Sequence, residues 1–130
     1  MNKSNEQGFT LIELLIVLVV IAILASLAYP SYEVYMRKVR MDEAKASIMT
    51  SVRNMERYYA NKRTFIDASE PMSTDFFTIT FAPGSPKDDK YEIIAKPTNK
   101  NGSETNALYY NSIGILSRCN KDTMDQCEQY

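Results

Sequence analysis

The chain has 130 residues, 45% of them hydrophobic, and a formal net charge of -1. That length accommodates one globular domain of about 100 residues plus an apolar N-terminal segment, and a second domain would be too small to bury a core. Histidine is absent, which excludes Ser-His-Asp and Cys-His catalysis and removes the commonest partner ligand of a zinc site.

The near-neutral total conceals a split. Arg37 to Arg63 carries 8 Lys or Arg against 3 Asp or Glu, a net of +5, while Thr64 to Tyr130 carries 6 against 10, a net of -4. The acidic C-terminal part is a poor general attractor of phosphate backbones, whose non-specific binding needs clustered cations. The sequence holds no GxxxxGK[ST] or GxGxxG loop and no carboxylate pair that stands out as catalytic, so neither an enzyme nor a cofactor is expected.

From Phe9 to Ala28 the only polar residues are Thr10, Glu13 and Ser26. Twenty helical residues span about 30 Å, the thickness of a bilayer core. A cleaved secretory signal is the rival reading, with LASLA at 24–28 as its nearest cleavage site, but the apolar run is longer than such signals use. Arg37, Lys38 and Arg40 follow the span, so the positive-inside rule alone keeps the C-terminal part in the cytoplasm. Cys119 and Cys127, with seven residues between them, are too widely spaced for a CxxC site. A disulfide closing a short loop is preferred over two free thiols, and it implies an oxidising compartment.

Glu13 is the costly residue. An intramembrane carboxylate costs about 2.5 to 3.5 kcal/mol or more unless paired, which makes it a functional candidate by default. The stretch GFTLIELLIV, with Gly8 before Phe9 and Glu13 fifth counting from that Phe, closely resembles the class III signal of the type IV pilin family. The resemblance implies cleavage by a prepilin peptidase between Gly8 and Phe9 and N-methylation of Phe9. It implies a leader at 1–8 and an N-terminus held inside, with the rest translocated. The new Phe9 amine lies about one helical turn from Glu13, and the family uses this Glu to meet the amine of a neighbouring subunit.

After Ala28 the pattern becomes amphipathic. Val34, Met41, Ala44, Ile48, Val52, Met55 and Tyr59 fall on one stripe, so one helix is expected from about Thr10 to about Ala60. Pro30 is expected to bend it or break its hydrogen bonds; by resemblance it is the family's helix proline, and otherwise an ordinary break between anchor and head. MERYYANKRTF at 55–65 reads as core packing and helix termination, ahead of nucleic-acid stacking by its aromatics and cations. Three strands are expected: FFTITFA at 76–82, YEIIAK at 91–96 and ALYYNSIGIL at 107–116. They form an antiparallel meander with one face on the helix. Asn101-Gly-Ser103 matches a glycosylation acceptor but reads better as a turn.

RCNKDTMDQCEQY at 118–130 reads as a loop pinned by Cys119 and Cys127. By resemblance this is the exposed, variable region of a pilin, and its brevity points to a minor pilin. Asn120, Lys121, Asp122 and Asp125 form its partner-facing surface, and a solvated acidic tip is favoured over a calcium site there. The expected fold class is therefore α+β: a long N-terminal helix packed on a small antiparallel sheet, with a C-terminal disulfide-bounded loop. The expected organisation is 1–8 leader, 9–29 transmembrane or filament-core helix, and 30–130 head, divided into helix 30–62, sheet 76–116 and disulfide region 117–130.

LASLAYPSYEVYMRKV and MERYYANKRTF look most like type IVa minor pilins of the adhesion-modulating kind. The resemblance implies other pilin subunits of a major filament, the inner membrane, prepilin peptidase and a host-cell surface receptor as partners. It places the chain first in the inner membrane, with a periplasmic head, and then in an extracellular pilus. A competence pilin gripping DNA through Lys96, Lys100, Arg118 and Lys121 is the alternative, with DNA the less favoured partner because the head is acidic. A type II secretion pseudopilin is the third reading, and the two cysteines count against it.

Overall fold

The computed structural model describes residues 7–130. Two compact units make up the chain, Met1–Met36 and Arg37–Tyr130. Helix α1 (Leu11–Lys62) is followed by strands β1 (Phe77–Phe81), β2 (Glu92–Pro97), β3 (Asn106–Asn111), β4 (Leu116–Asn120) and β5 (Glu128–Gln129), with a 3-10 turn at Asn99–Asn101.

In the first unit every described residue up to Tyr35 is exposed, as suits a segment whose solvent is hydrocarbon rather than a protein core. The helix runs unbroken through Pro30, as the single long helix expected from sequence, so the alternative of a break between anchor and head does not hold. A proline deprives one carbonyl of its donor, and the turns on either side carry the helix across that gap. The Ser31 hydroxyl donates to the Leu27 carbonyl at 3.3 Å, a side-chain bond one turn back from the residue after the proline. At its other end α1 stops because Arg63 turns left-handed (φ 59). The Arg63 amide donates to the Tyr59 carbonyl at 2.8 Å, the single bond of an αL cap.

The second unit is built on the expected stripe. Met41, Ala44, Ile48, Val52 and Met55 are buried against Phe77 and Ile79 of β1, Ile93 and Ala95 of β2, and Leu108 and Tyr110 of β3. Those sheet residues alternate along each strand, so they share one face. The antiparallel register carries Ile79 opposite Ala95 and Ala95 opposite Leu108. Fully burying each large side chain contributes about 1.5 to 3 kcal/mol. Val34 and Tyr59, the ends of the expected stripe, are exposed. Tyr59 instead stacks on Phe65 with centroids 4.6 Å apart, and Phe65 meets Tyr91 edge-on at 4.8 Å.

Five strands replace the expected three, in the order β1-β2-β3-β4-β5. The run 107–116 is a hairpin rather than one strand. Gly114 adopts φ 101, its amide donates to the Asn111 carbonyl at 2.9 Å, and the Asn111 side chain accepts from the Ile115 amide at 3.2 Å. The alternation of apolar residues continued through this turn and concealed it. Likewise the region 117–130 is not all loop, because β4 and β5 occupy both its ends. The outer edge of β1 is covered by its own connection: the Ser73 hydroxyl accepts from the Ile79 amide at 2.8 Å, and Thr74 exchanges bonds with Phe77. That protects the edge from pairing with a second chain.

Burial pushes the Tyr91 phenol well above the ordinary tyrosine range, with Tyr110 and then Glu56 adding to the effect. The folded state thus holds the neutral phenol. The stability linked to it is complete below about pH 10, the unfolded value, and is lost as pH rises past that toward the folded value. We expect the thermal midpoint to fall between pH 9 and pH 11.5, and Tyr91→Phe to flatten part of that fall; equal slopes for both proteins would refute this coupling.

Candidate functional site

The signal segment places Glu13 in a definite structure. Its carboxylate accepts from the Thr10 backbone amide at 2.8 Å, and the Thr10 hydroxyl accepts from the Glu13 amide at 3.3 Å. This is a reciprocal capping box, which satisfies two amides that a helix start otherwise leaves without partners. The carboxylate also lies at the positive end of the helix dipole. Thr10 was missed as a site residue, although the T-x-x-E spacing of a capping box is plain in the sequence. Gly8 and Phe9 precede the helix and are exposed, Phe9 by 84%, so the expected cleavage point lies in accessible backbone outside regular secondary structure. Pro30 sits 17 positions further along the same helix.

At one end of the head's sheet, β2 ends, the 3-10 turn follows, β3 begins and β4 ends, because Asn106 pairs with Asn120. Lys96, Pro97, Thr98, Asn99, Gly102, Lys121 and Asp122 line an open groove there of about 480 Å³. Lys100 lies in the turn between two of those lining residues. Arg118 does not join them: its guanidinium pairs with Glu128 at 3.3 Å and faces the Tyr130 ring. Two of the four cations named from sequence, Lys96 and Lys121, therefore line one groove with Asp122 beside them, and Lys100 lies in the adjoining turn.

Two buried polar side chains hold this end to the helix. Asn101 is fully buried, donating to the Phe76 carbonyl at 3.4 Å and accepting from Arg40 at 3.3 Å. That occupancy makes the NGS tripeptide a structural turn. Glu104, 3% exposed, accepts from the amides of Thr105 and Asn106 at 3.0 Å and pairs with Arg37 at 3.5 Å. Glu104 was not named from sequence, and Asn101 only as the start of the NGS turn, because a polar loop carries no periodicity that marks the residue turned inward.

Cys119 and Cys127 form a disulfide. Between them the chain makes one tight turn, with Met124 and Gln126 left-handed. The Asn120 side chain accepts from the Asp122 amide at 2.9 Å, and Asp125 takes the Thr123 hydroxyl with its carboxylate and the Asn120 amide with its carbonyl. Asn120 and Asp125 thus shape the turn, leaving Lys121 and Asp122 toward the groove. No cluster with metal-binding geometry occurs among the described residues.

Residues 3–29 match the model of the prokaryotic N-terminal methylation motif. Residues 30–120 match the model of the family described as type IV minor pilin ComP, DNA uptake sequence receptor. The chain belongs to this family of type IV minor pilins. This minor pilin is also similar in structure to the non-core minor pilin PilV of Neisseria meningitidis, with a TM-score of 0.62 and 23% identity over 72% of this chain and 98% of that one. That likeness is one of fold: the same long helix and small antiparallel sheet. No curated protein matches this minor pilin in sequence. Type IV pilins are structural subunits that assemble with other pilins after prepilin-peptidase processing, and the disulfide and apolar helix here agree with membership.

Proposed function

We propose that this minor pilin is cut between Gly8 and Phe9, methylated at Phe9, and drawn from the inner membrane into a pilus, where its head binds duplex DNA for uptake. The observation that carries the DNA reading is the match of residues 30–120 to a family of DNA uptake sequence receptors. The groove lined by Lys96 and Lys121, with Lys100 in the adjoining turn, supplies the chemistry, since ammonium groups binding phosphates release condensed counterions. The net charge of -4 from Thr64 onward argued against DNA. At physiological salt, however, charges more than about 8 Å apart are largely screened. Binding answers to the local cluster rather than to the sum.

The test is a salt titration of duplex binding by the full chain in detergent, compared with the Lys96→Ala/Lys100→Ala/Lys121→Ala variant. The triple change is expected to lower the slope of log affinity against log salt by about 2.7 and to weaken binding at least tenfold, on the order of 1.4 kcal/mol. Wild-type protein without salt-sensitive affinity would return the function to the reading first drawn from the resemblance, modulation of adhesion to a host-cell receptor. Under either reading Glu13 and Pro30 serve assembly, and Asn120, Lys121, Asp122 and Asp125 belong to the surface offered to a partner.

A further inference from the structure

The reading that the helix crosses a membrane leaves three residues unexplained. Tyr29, Tyr32 and Tyr35 directly follow the apolar run and are 72%, 63% and 63% exposed. Three such rings in seven residues make no core in their own unit, and nothing in an apolar span or a filament signal calls for them. At successive steps of three they occupy about a third of the helix circumference and about 9 Å of its length.

That length matches a particular layer. The hydrocarbon core of a bilayer is about 30 Å thick and the whole bilayer about 40 to 45 Å, which leaves about 5 to 8 Å of headgroup region on each side. The run from Phe9 to Ala28 fills the first thickness, so Tyr29 starts at the acyl boundary and Tyr35 reaches the outer margin of the headgroups. A tyrosine ring has an apolar body and a polar tip, which is why tyrosines are enriched at this depth.

We propose that Tyr29, Tyr32 and Tyr35 form an aromatic collar that seats the unassembled subunit against phospholipid headgroups at the end of its span. The collar sets how deep the helix sits and therefore the depth of Glu13 at the other end. It rests on the membrane-span reading, and its test separates the two.

The chain contains no tryptophan, so a single introduced indole is an unambiguous reporter. The full-length Tyr29→Trp, Tyr32→Trp, Tyr35→Trp and Val20→Trp variants are reconstituted in phosphatidylethanolamine and phosphatidylglycerol vesicles with acyl chains brominated at shallow or deep positions. Shallow bromines are expected to quench Tyr32→Trp about twofold more than deep ones. The preference should reverse for Val20→Trp, and total quenching should decline from Tyr29→Trp to Tyr35→Trp. If Val20→Trp is quenched by deep bromines while Tyr32→Trp is quenched by neither, the span stands and the collar is wrong. If Val20→Trp is not quenched either, the span reading fails and takes the collar with it.

Discussion

Glu13→Val is expected to leave the subunit in the membrane and correctly processed, yet to lower its amount in sheared pili at least tenfold. Two roles compete for this carboxylate. In the capping box it only starts a helix, accepting from the Thr10 amide, and such a cap is worth about 1 kcal/mol. As a charge it needs a cation, because in hydrocarbon an unpaired carboxylate costs about 2.5 to 3.5 kcal/mol. Under the proposed processing, the amine freed by cleavage before Phe9 would be the nearest source on its own chain, and the same amine on a neighbouring subunit would be the source in a filament.

The variant that separates these roles is Glu13→Gln. A glutamine amide oxygen still accepts from Thr10, so the box closes and the helix starts as before, but the charge is gone. If helix starting were the function, Glu13→Gln would incorporate like wild type and Thr10→Ala would be as damaging as Glu13→Val. We expect the opposite: Glu13→Gln fails like Glu13→Val, and Thr10→Ala retains most incorporation. Quantifying sheared pili against membrane-retained subunit reads this directly. Normal incorporation of Glu13→Gln would reduce Glu13 to a capping residue.

What the sequence revealed followed the reach of each physical signal. The stripe Met41, Ala44, Ile48, Val52 and Met55 was readable because a single period of 3.6 residues governs it, and all five side chains are buried. Strands β1 and β2 were readable because alternation and turn residues agree. The split between β3 and β4 was hidden, since Ile113 and Ile115 keep the apolar pattern going through the turn that Gly114 makes. Strand β5 has two residues, too few to carry any pattern. Buried Ser51 was also invisible; its hydroxyl donates to the Ser47 carbonyl at 3.0 Å, so it enters the core already satisfied. Glu104 and Asn101 depend on Arg37 and Arg40, more than 60 positions away, and no local rule reports such partners. The groove suffered from the reverse error: summing charge over the head averaged away three lysines that the sheet's topology brings to one end.

Phe77→Ala should be the most damaging single change in the head. Phe77 is fully buried, opens β1 opposite Pro97 and belongs to the cluster that joins the sheet to the helix stripe. Its backbone bonds to Thr74 survive the substitution, so the loss is one of packing: transfer energy plus an unfilled cavity, together about 3 to 5 kcal/mol. Domains of this size have about 5 to 15 kcal/mol in all, and the change should lower the thermal midpoint on the order of 20 °C. Ile113→Ala is the matched control, because Ile113 is 83% exposed at the β3–β4 turn and its loss should stay within about 0.5 kcal/mol. Calorimetry of both variants measures the difference. A drop of only a few degrees for Phe77→Ala would mean that β1 can close over the gap, and that the helix is held chiefly by Ile93 and Leu108 of the central strands. A large drop would place the weight of helix docking on the edge strand, where the Ser73 and Thr74 bonds that shield the edge also keep Phe77 turned inward.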